Sequence, residues 1–198
     1  MSIDFRGKLF VVSSPSGGGK TTVCAALCKR SPRVFVSVSA TTRAPRREEK
    51  NGRDYYFMSR KEFARLRKNR GFFEWAEVLG NWYGTPKKPI LKKIRQGFTV
   101  LLNIDIQGAR QVKKACPDAT TIFIMPPSLR ELRARLTRRS TESLEEIKKR
   151  LALATREIAA RDAFDYLVIN KDLPHTIEVA ASIIIAEQHR NAKRRLYA

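Results

Sequence analysis

Nothing in this 198-residue chain is long and apolar enough to suggest a membrane span. The longest runs without a charged residue, Leu9–Gly19 and Ala119–Leu129, fall well short of the ~20 residues a spanning helix needs. Asp4 and Arg6 precede a short apolar run with no small-residue cleavage pattern after it, so no secretory leader is expected and the protein is placed in the cytoplasm. Cysteine is scarce. Cys24, Cys28 and Cys116 make an odd count without a framework spacing, which excludes a disulfide scaffold and agrees with a reducing compartment. Cys24 and Cys28 lie four apart on a predicted helix, but no second His or Cys pair completes a metal site, so both are read as core residues. Acidic residues are few as well, 19 against 40 Lys and Arg, for a net charge of +21. Such an excess calls for an anionic partner: nucleic acid, an acidic membrane surface or phosphorylated small molecules. Composition leaves all three open.

What is present is a globular chain. Hydrophobic residues make up 42% of it, including 10 Phe, 5 Tyr and 2 Trp, which excludes intrinsic disorder, and the length suits one domain. Short β-rich runs alternate with helical ones, predicting an α/β fold with a mostly parallel sheet flanked by helices. The candidate strands are Lys8–Ser13, Val34–Ser39, Thr99–Ile104, Thr120–Met125 and Tyr166–Asn170. Ser59 with Glu62, Ser128 with Glu131 and Ser143 with Glu146 have capping-box spacing at helix starts. Two stretches interrupt the alternation. One, from about 38 to 89, holds Arg-rich turns, the short aromatic strands Tyr55–Phe57 and Phe72–Trp75, and a helix at Ser59–Asn69. The other, about 130–161, is a charged helical pair joined at Arg139–Ser143. Both follow core strands, whose carboxyl ends are where open α/β sheets bind ligands.

The strand Lys8–Ser13 runs into Ser14-Pro15-Ser16-Gly17-Gly18-Gly19-Lys20-Thr21-Thr22, which fits the phosphate-loop pattern G-x-x-x-x-G-K-[ST] except that Ser14 replaces the first glycine. Glycines let successive backbone N–H groups converge on phosphate oxygens, and a helix starting near Lys20 adds its positive end. Ser13 through Thr22 are therefore the candidate nucleotide-binding segment, with Lys20 along the β- and γ-phosphates and the Thr21 hydroxyl on Mg²⁺. Ser14 is tolerable where φ is negative. The apolar run Val100–Ile104 ends in Asp105, which alone could simply cap a helix starting near Gln107; with a phosphate loop in the same chain, the acid on the metal side of the site is the better reading.

In the first interruption, Arg43 and Arg46 sit three apart in a turn stiffened by Pro45, and Tyr55 and Tyr83 add phenolic hydroxyls. Arginine forks with hydroxyls suit a phosphate monoester; a solvated basic surface is the plainer alternative. Glu74 is the lone acid of Phe72–Ala76, and strand alternation places it opposite Phe73 and Trp75. It either faces solvent or accepts the paired N1–H and N2–H donors of a guanine, which adenine lacks.

These motifs, together with Ser39, Gly84-Thr85, Ile104-Asp105-x-Gln107-Gly108, Arg135-x-x-x-Arg139 and Val168-Ile169-Asn170, resemble guanylate kinases over nearly the whole length. The resemblance implies a P-loop NTPase core at about 1–37, 90–129 and 162–198, a GMP-binding insertion at about 38–89 and a helical lid at about 130–161. It implies Mg²⁺-dependent transfer of a phosphoryl group from ATP to GMP. By the same resemblance Ser39, Glu74 and Thr85 contact guanine, Arg43, Arg46, Tyr55 and Tyr83 hold the GMP phosphate, and Asn170 lies near the adenine. Arg135, Arg139 and Arg150 close over the ATP phosphates as catalytic arginines. Asp105 and Asn103 are placed on the GMP side, Asp105 with Thr21 also at the metal, although Asn103 stands where the family is usually acidic. Ser140 and Lys171 are further departures, replacing a glycine and an acid. The expected partners are ATP and GMP, with neither a membrane nor a specific nucleic acid; monomer and homo-oligomer stay open. A ribose-bisphosphate kinase on the same scaffold should lack Ser39, Glu74 and Thr85, and a non-catalytic protein-binding relative need not keep Lys20, Thr21 and Asp105.

Overall fold

The computed structural model describes residues 7–78, 80–138 and 144–190. Arg139, Ser140 and Ser143, the Glu146 side chain and the basic tail beyond Arg190 lie outside the described residues.

Five parallel strands form the central sheet: β1 (Leu9–Ser13), β2 (Val34–Val36), β7 (Thr99–Asn103), β8 (Thr120–Met125) and β9 (Tyr166–Ile169), in the order β2-β7-β1-β8-β9. All five expected core strands are present. The second is shorter than Val34–Ser39, because pairing with β7 ends at Val36 with one further bond from Ser37 N–H to the Leu101 carbonyl. Alternation divides the core in two. Phe10 and Val12 of β1, Leu101 of β7 and Ile122 and Ile124 of β8 pack on one face with α1 (Lys20–Arg30) and α7 (Leu173–His189). Leu9, Val11, Val100 and Leu102 pack on the other with α3 (Lys87–Arg95) and α4 (Ile106–Ala115). Strands covered on both faces are apolar throughout, which is why they read as continuous runs.

A second, four-stranded sheet has the order β4-β3-β6-β5, from β3 (Ala40–Thr41), β4 (Tyr56–Phe57), β5 (Phe72–Val78) and β6 (Asn81–Pro86). It packs on α2 (Arg60–Lys68), whose amphipathic face buries Phe63 against Phe72 and Ala40. The Ser59–Glu62 capping box is complete in both directions. At Ser128 only the side chain of the cap is used, accepting the Glu131 N–H at 3.1 Å. The charged pair, α5 (Leu129–Arg138) and α6 (Leu144–Ile158), closes on Leu132, Leu136 and Ala154.

Two expectations are corrected. Cys24 is buried, and burial pushes its thiol up to about 12, but Cys28 is exposed, one turn on and outside the core stripe. Strict alternation also fails in β5. Phe72 pairs with Pro86 and Trp75 with Gly84, so three steps on β5 match two on β6, a β-bulge at Phe73–Glu74. Phe73 and Glu74 are both buried in consequence, while Trp75 is 37% exposed. Among the described residues no helix is long and apolar enough to cross a membrane.

Candidate active site

Register brings the candidate residues to one edge. β1 pairs Val12 with Asn103 of β7 and Ser13 with Phe123 of β8, and β8 pairs Met125 with Ile169 of β9. The phosphate loop, the segment Asn103–Asp105 and Asn170 thus all emerge at the carboxyl ends of adjacent strands.

Ser14 does not have positive φ, so the absent first glycine costs nothing in backbone strain. The glycines that matter lie further on. Gly19 takes φ 99° immediately before α1, and no side chain caps that helix, which leaves its first N–H groups for a ligand. A Cβ on Gly18 would meet the Ser14 Cβ at 2.9 Å, so the serine at the first position takes up the space a side chain there would need. Lys20 opens α1, and Thr21 accepts a hydrogen bond at 3.2 Å from Asn103 Nδ2. Asn103 Oδ1 and Ser13 Oγ are buried without a hydrogen-bond partner.

Asp105 is the N-cap of α4: its Oδ1 accepts the Gly108 N–H at 2.8 Å. The capping alternative is realised, and it fixes the carboxylate just past β7, the strand that pairs with β1. Asn170 is buried. Its Nδ2 donates to the Gly18 carbonyl at 3.0 Å, its Oδ1 accepts from Thr176 at 3.2 Å, and its own carbonyl accepts from Arg135 Nη2 at 2.9 Å. Both ends of its amide are spent inside the protein, so Asn170 fixes the phosphate loop to the β9 end. Gly17, Gly19, Thr22, Glu131, Arg135, Asn170 and Lys171 line a cleft of about 450 Å³. Arg135 is steadied there by Glu131 one turn earlier, at 3.2 Å. Arg150 lies exposed on α6. A larger cavity of about 710 Å³ sits at the opposite end of the sheet, around the starts of β1 and β8, and holds no phosphate-loop residue; chemistry, not volume, locates the site.

In the second sheet the bulge turns Glu74 onto β6. The buried Thr85 hydroxyl donates to Glu74 Oε1. On the other side, a Cβ at Gly108 would lie 3.1 Å from Glu74 Oε2, so the carboxylate occupies the space this glycine leaves. Glu74 is only 8% exposed. Burial pushes its carboxyl up to about 7; the Thr85 hydrogen bonds oppose the rise and the neighbouring charge of Asp105 adds to it. Ala40 faces Gly84 in β6, so the register brings Ser39, one step earlier, opposite Thr85.

Arg43, Tyr55 and Tyr83 form a second cluster. The Arg43 guanidinium lies 5.5 Å from the Tyr55 ring centroid, and the Tyr55 and Tyr83 rings meet edge-on at 6.1 Å. Arg46 is exposed on the adjoining turn. One acid that sequence reasoning passed over organises this turn. Glu49 accepts Arg43 Nη2 at 2.8 and 3.0 Å and the Arg46 N–H at 2.8 Å. Those bonds hold its carboxyl below the usual range. Its spacing after Arg43 and Arg46 was the available signal. Gln111 was passed over as well: its amide pairs with both backbone groups of Trp75 at 3.2 Å, tying β5 to α4.

Residues 6–187 match the family model described as "Guanylate kinase". Guanylate kinase of Carboxydothermus hydrogenoformans is 47% identical over 92% of this chain and 90% of its own length. That of Rubrobacter xylanophilus is 49% identical over 90% and 94%. The crystal structure of guanylate kinase from Anaplasma phagocytophilum superposes with a TM-score of 0.75 at 38% identity, covering 95% of this chain and 89% of that one. A phosphate-loop sequence between β1 and α1, a buried, hydroxyl-held carboxylate and a family match over residues 6–187 lead to one conclusion: the chain belongs to the guanylate kinase family.

Proposed function

We propose that the guanylate kinase reaction, ATP + GMP giving ADP + GDP, runs in the crevice between the two sheets, with ATP on the phosphate loop and GMP on the second sheet. The observation that carries this division of labour is the position of α4. Its N-cap Asp105 follows β7, the strand paired with the one that feeds the phosphate loop, while Gly108, one turn later, backs the Glu74 carboxylate. Base reading and phosphate handling are thus joined through a single helical turn.

On the acceptor side, Glu74 takes the two parallel donors of guanine, with Thr85 and Ser39 at its edge. Arg43, Arg46, Tyr55 and Tyr83 hold the monophosphate, for which Arg43 exchanges its bonds to Glu49. In this reading residues 38–89 are the GMP-binding insertion and residues 130–161 the lid. On the donor side, the amides at the start of α1 and the Lys20 ammonium take the β- and γ-phosphates, and Arg135 meets them from α5. The donor set Thr21 Oγ1, the Asp105 carboxylate and the unpartnered Asn103 Oδ1 consists of hard oxygens and suits Mg²⁺, which takes few protein ligands alongside substrate phosphates. Bound there, the ion neutralises phosphate charge. No protein nucleophile is required, because phosphoryl transfer is governed by alignment and charge stabilisation.

Release of ADP from ATP with GMP, AMP, CMP or UMP as acceptor tests the assignment. GMP alone should support turnover at a useful rate; equal rates with AMP would defeat the assignment of Glu74.

A further inference from the structure

Glu157, in the last turn of α6, reaches back to the phosphate loop. Its Oε2 accepts the Ser16 backbone N–H at 3.1 Å, across 141 residues of sequence. The carboxylate is half-buried, and two charges act on it besides the amide. Burial raises its proton affinity, the Ser16 amide and Lys20 lower it, and Asp105 raises it again.

Its negative charge is not what it contributes there. Asp105 and the phosphates of an arriving ATP oppose that charge, and Lys20 favours it. What remains is the acceptor oxygen. It satisfies an N–H in the third position of the loop, just before Gly17, where a side chain would collide with Leu132 and Leu136 of α5 at 3.0 Å. Two elements of the helical pair thus touch the loop at adjacent residues, α5 by packing and α6 by a hydrogen bond.

We infer that Glu157 is a positioning residue for the known reaction, a strut whose acceptor oxygen holds the Ser16 amide and so fixes the phosphate loop for ATP. The inference rests on the assignment of that loop to ATP.

Replacing Glu157 by Ala, Asp and Gln tests it, with ATP affinity read by equilibrium titration, KM read for both substrates and thermal melting as a control. Glu157→Ala and the shorter Glu157→Asp should weaken ATP about fivefold, the effect of one lost hydrogen bond, with the KM for GMP held within about twofold. Glu157→Gln keeps the acceptor and removes the charge, and should restore wild-type ATP affinity or better it. An Ala variant equal to wild type, a Gln variant as weak as Ala, or equal loss for ATP and GMP would overturn the inference. If the Ala variant does not fold, the Gln variant decides alone: restored ATP affinity supports the strut, and fivefold weakening refutes it. Lys20→Ala in parallel separates the two levels. Should that variant bind and turn over ATP normally, the loop assignment itself is wrong; should it fail while Glu157→Ala behaves as wild type, only the strut is.

Discussion

The Thr85 hydroxyl donates to the Glu74 carboxylate at the point where β5 and β6 slip by one residue. Without that bulge, alternation would carry Glu74 to the face opposite Phe73, and Thr85 would have no acid to meet. Thr85→Val keeps the volume and removes the donor. Because a hydrogen bond to a charged group is worth about 1.5–3 kcal/mol, kcat/KM for GMP should fall by about tenfold or more, with the KM for ATP unchanged. Steady-state kinetics with each substrate varied in turn reads the split.

The elevated proton affinity of Glu74 gives GMP use a pH dependence. Reading guanine requires the carboxylate, and its pKa is about 7 before substrate arrives. The KM for GMP should therefore rise as pH falls below about 7, and binding near that pH should release a proton. The sign for stability is opposite. Since the unfolded carboxyl titrates near 4.3, the folded, substrate-free protein binds more protons between about 4.3 and 7 and loses stability as pH rises through that window. GMP titration calorimetry in buffers of different ionisation heat checks the proton release. A Glu74→Gln control keeps the contribution of the phosphate's own second ionisation at about 6, so the difference between the two proteins is the carboxylate's share.

Gly108→Ala separates packing from stability. Alanine favours a helix over glycine by about 1 kcal/mol, so the melting temperature should hold or rise. The new Cβ would press on the Glu74 carboxylate from 3.1 Å while Thr85 pins its other oxygen. The KM for GMP should then increase several-fold, about tenfold at most, with ATP kinetics unaffected.

Lys20→Ala removes the one ammonium at the head of α1 and leaves the strand, the loop and its Asn170 tether in place. The kcat should drop by about 10²–10³-fold or more, with an unchanged circular dichroism spectrum.

Much of this was legible in the sequence because it is local. The phosphate loop, the apolar run ending at Asp105 and the Ser59–Glu62 box are contiguous patterns, and each is realised where the residues place it. Glu74 was legible as a lone acid in an apolar aromatic strand, but its aim was not, since a bulge depends on the partner strand's register. The role of Gly108 as space for that carboxylate, and the reach of Glu157 to Ser16, join segments far apart in the chain, and no periodicity encodes them. Asn170 illustrates the same limit. Its place at the end of β9 could be read, whereas its tether to Gly18 required the fold.

The acceptor selectivity of the site depends most directly on Glu74. The kcat/KM for GMP relative to AMP, measured with MgATP for the wild-type protein and Glu74→Gln, tests it in a single comparison. A buried acceptor turned into a donor against guanine N–H should cost GMP about 100-fold or more and leave AMP little changed, collapsing the selectivity. Wild-type selectivity retained by Glu74→Gln would contradict the account and return the carboxylate to a purely structural place in the bulge.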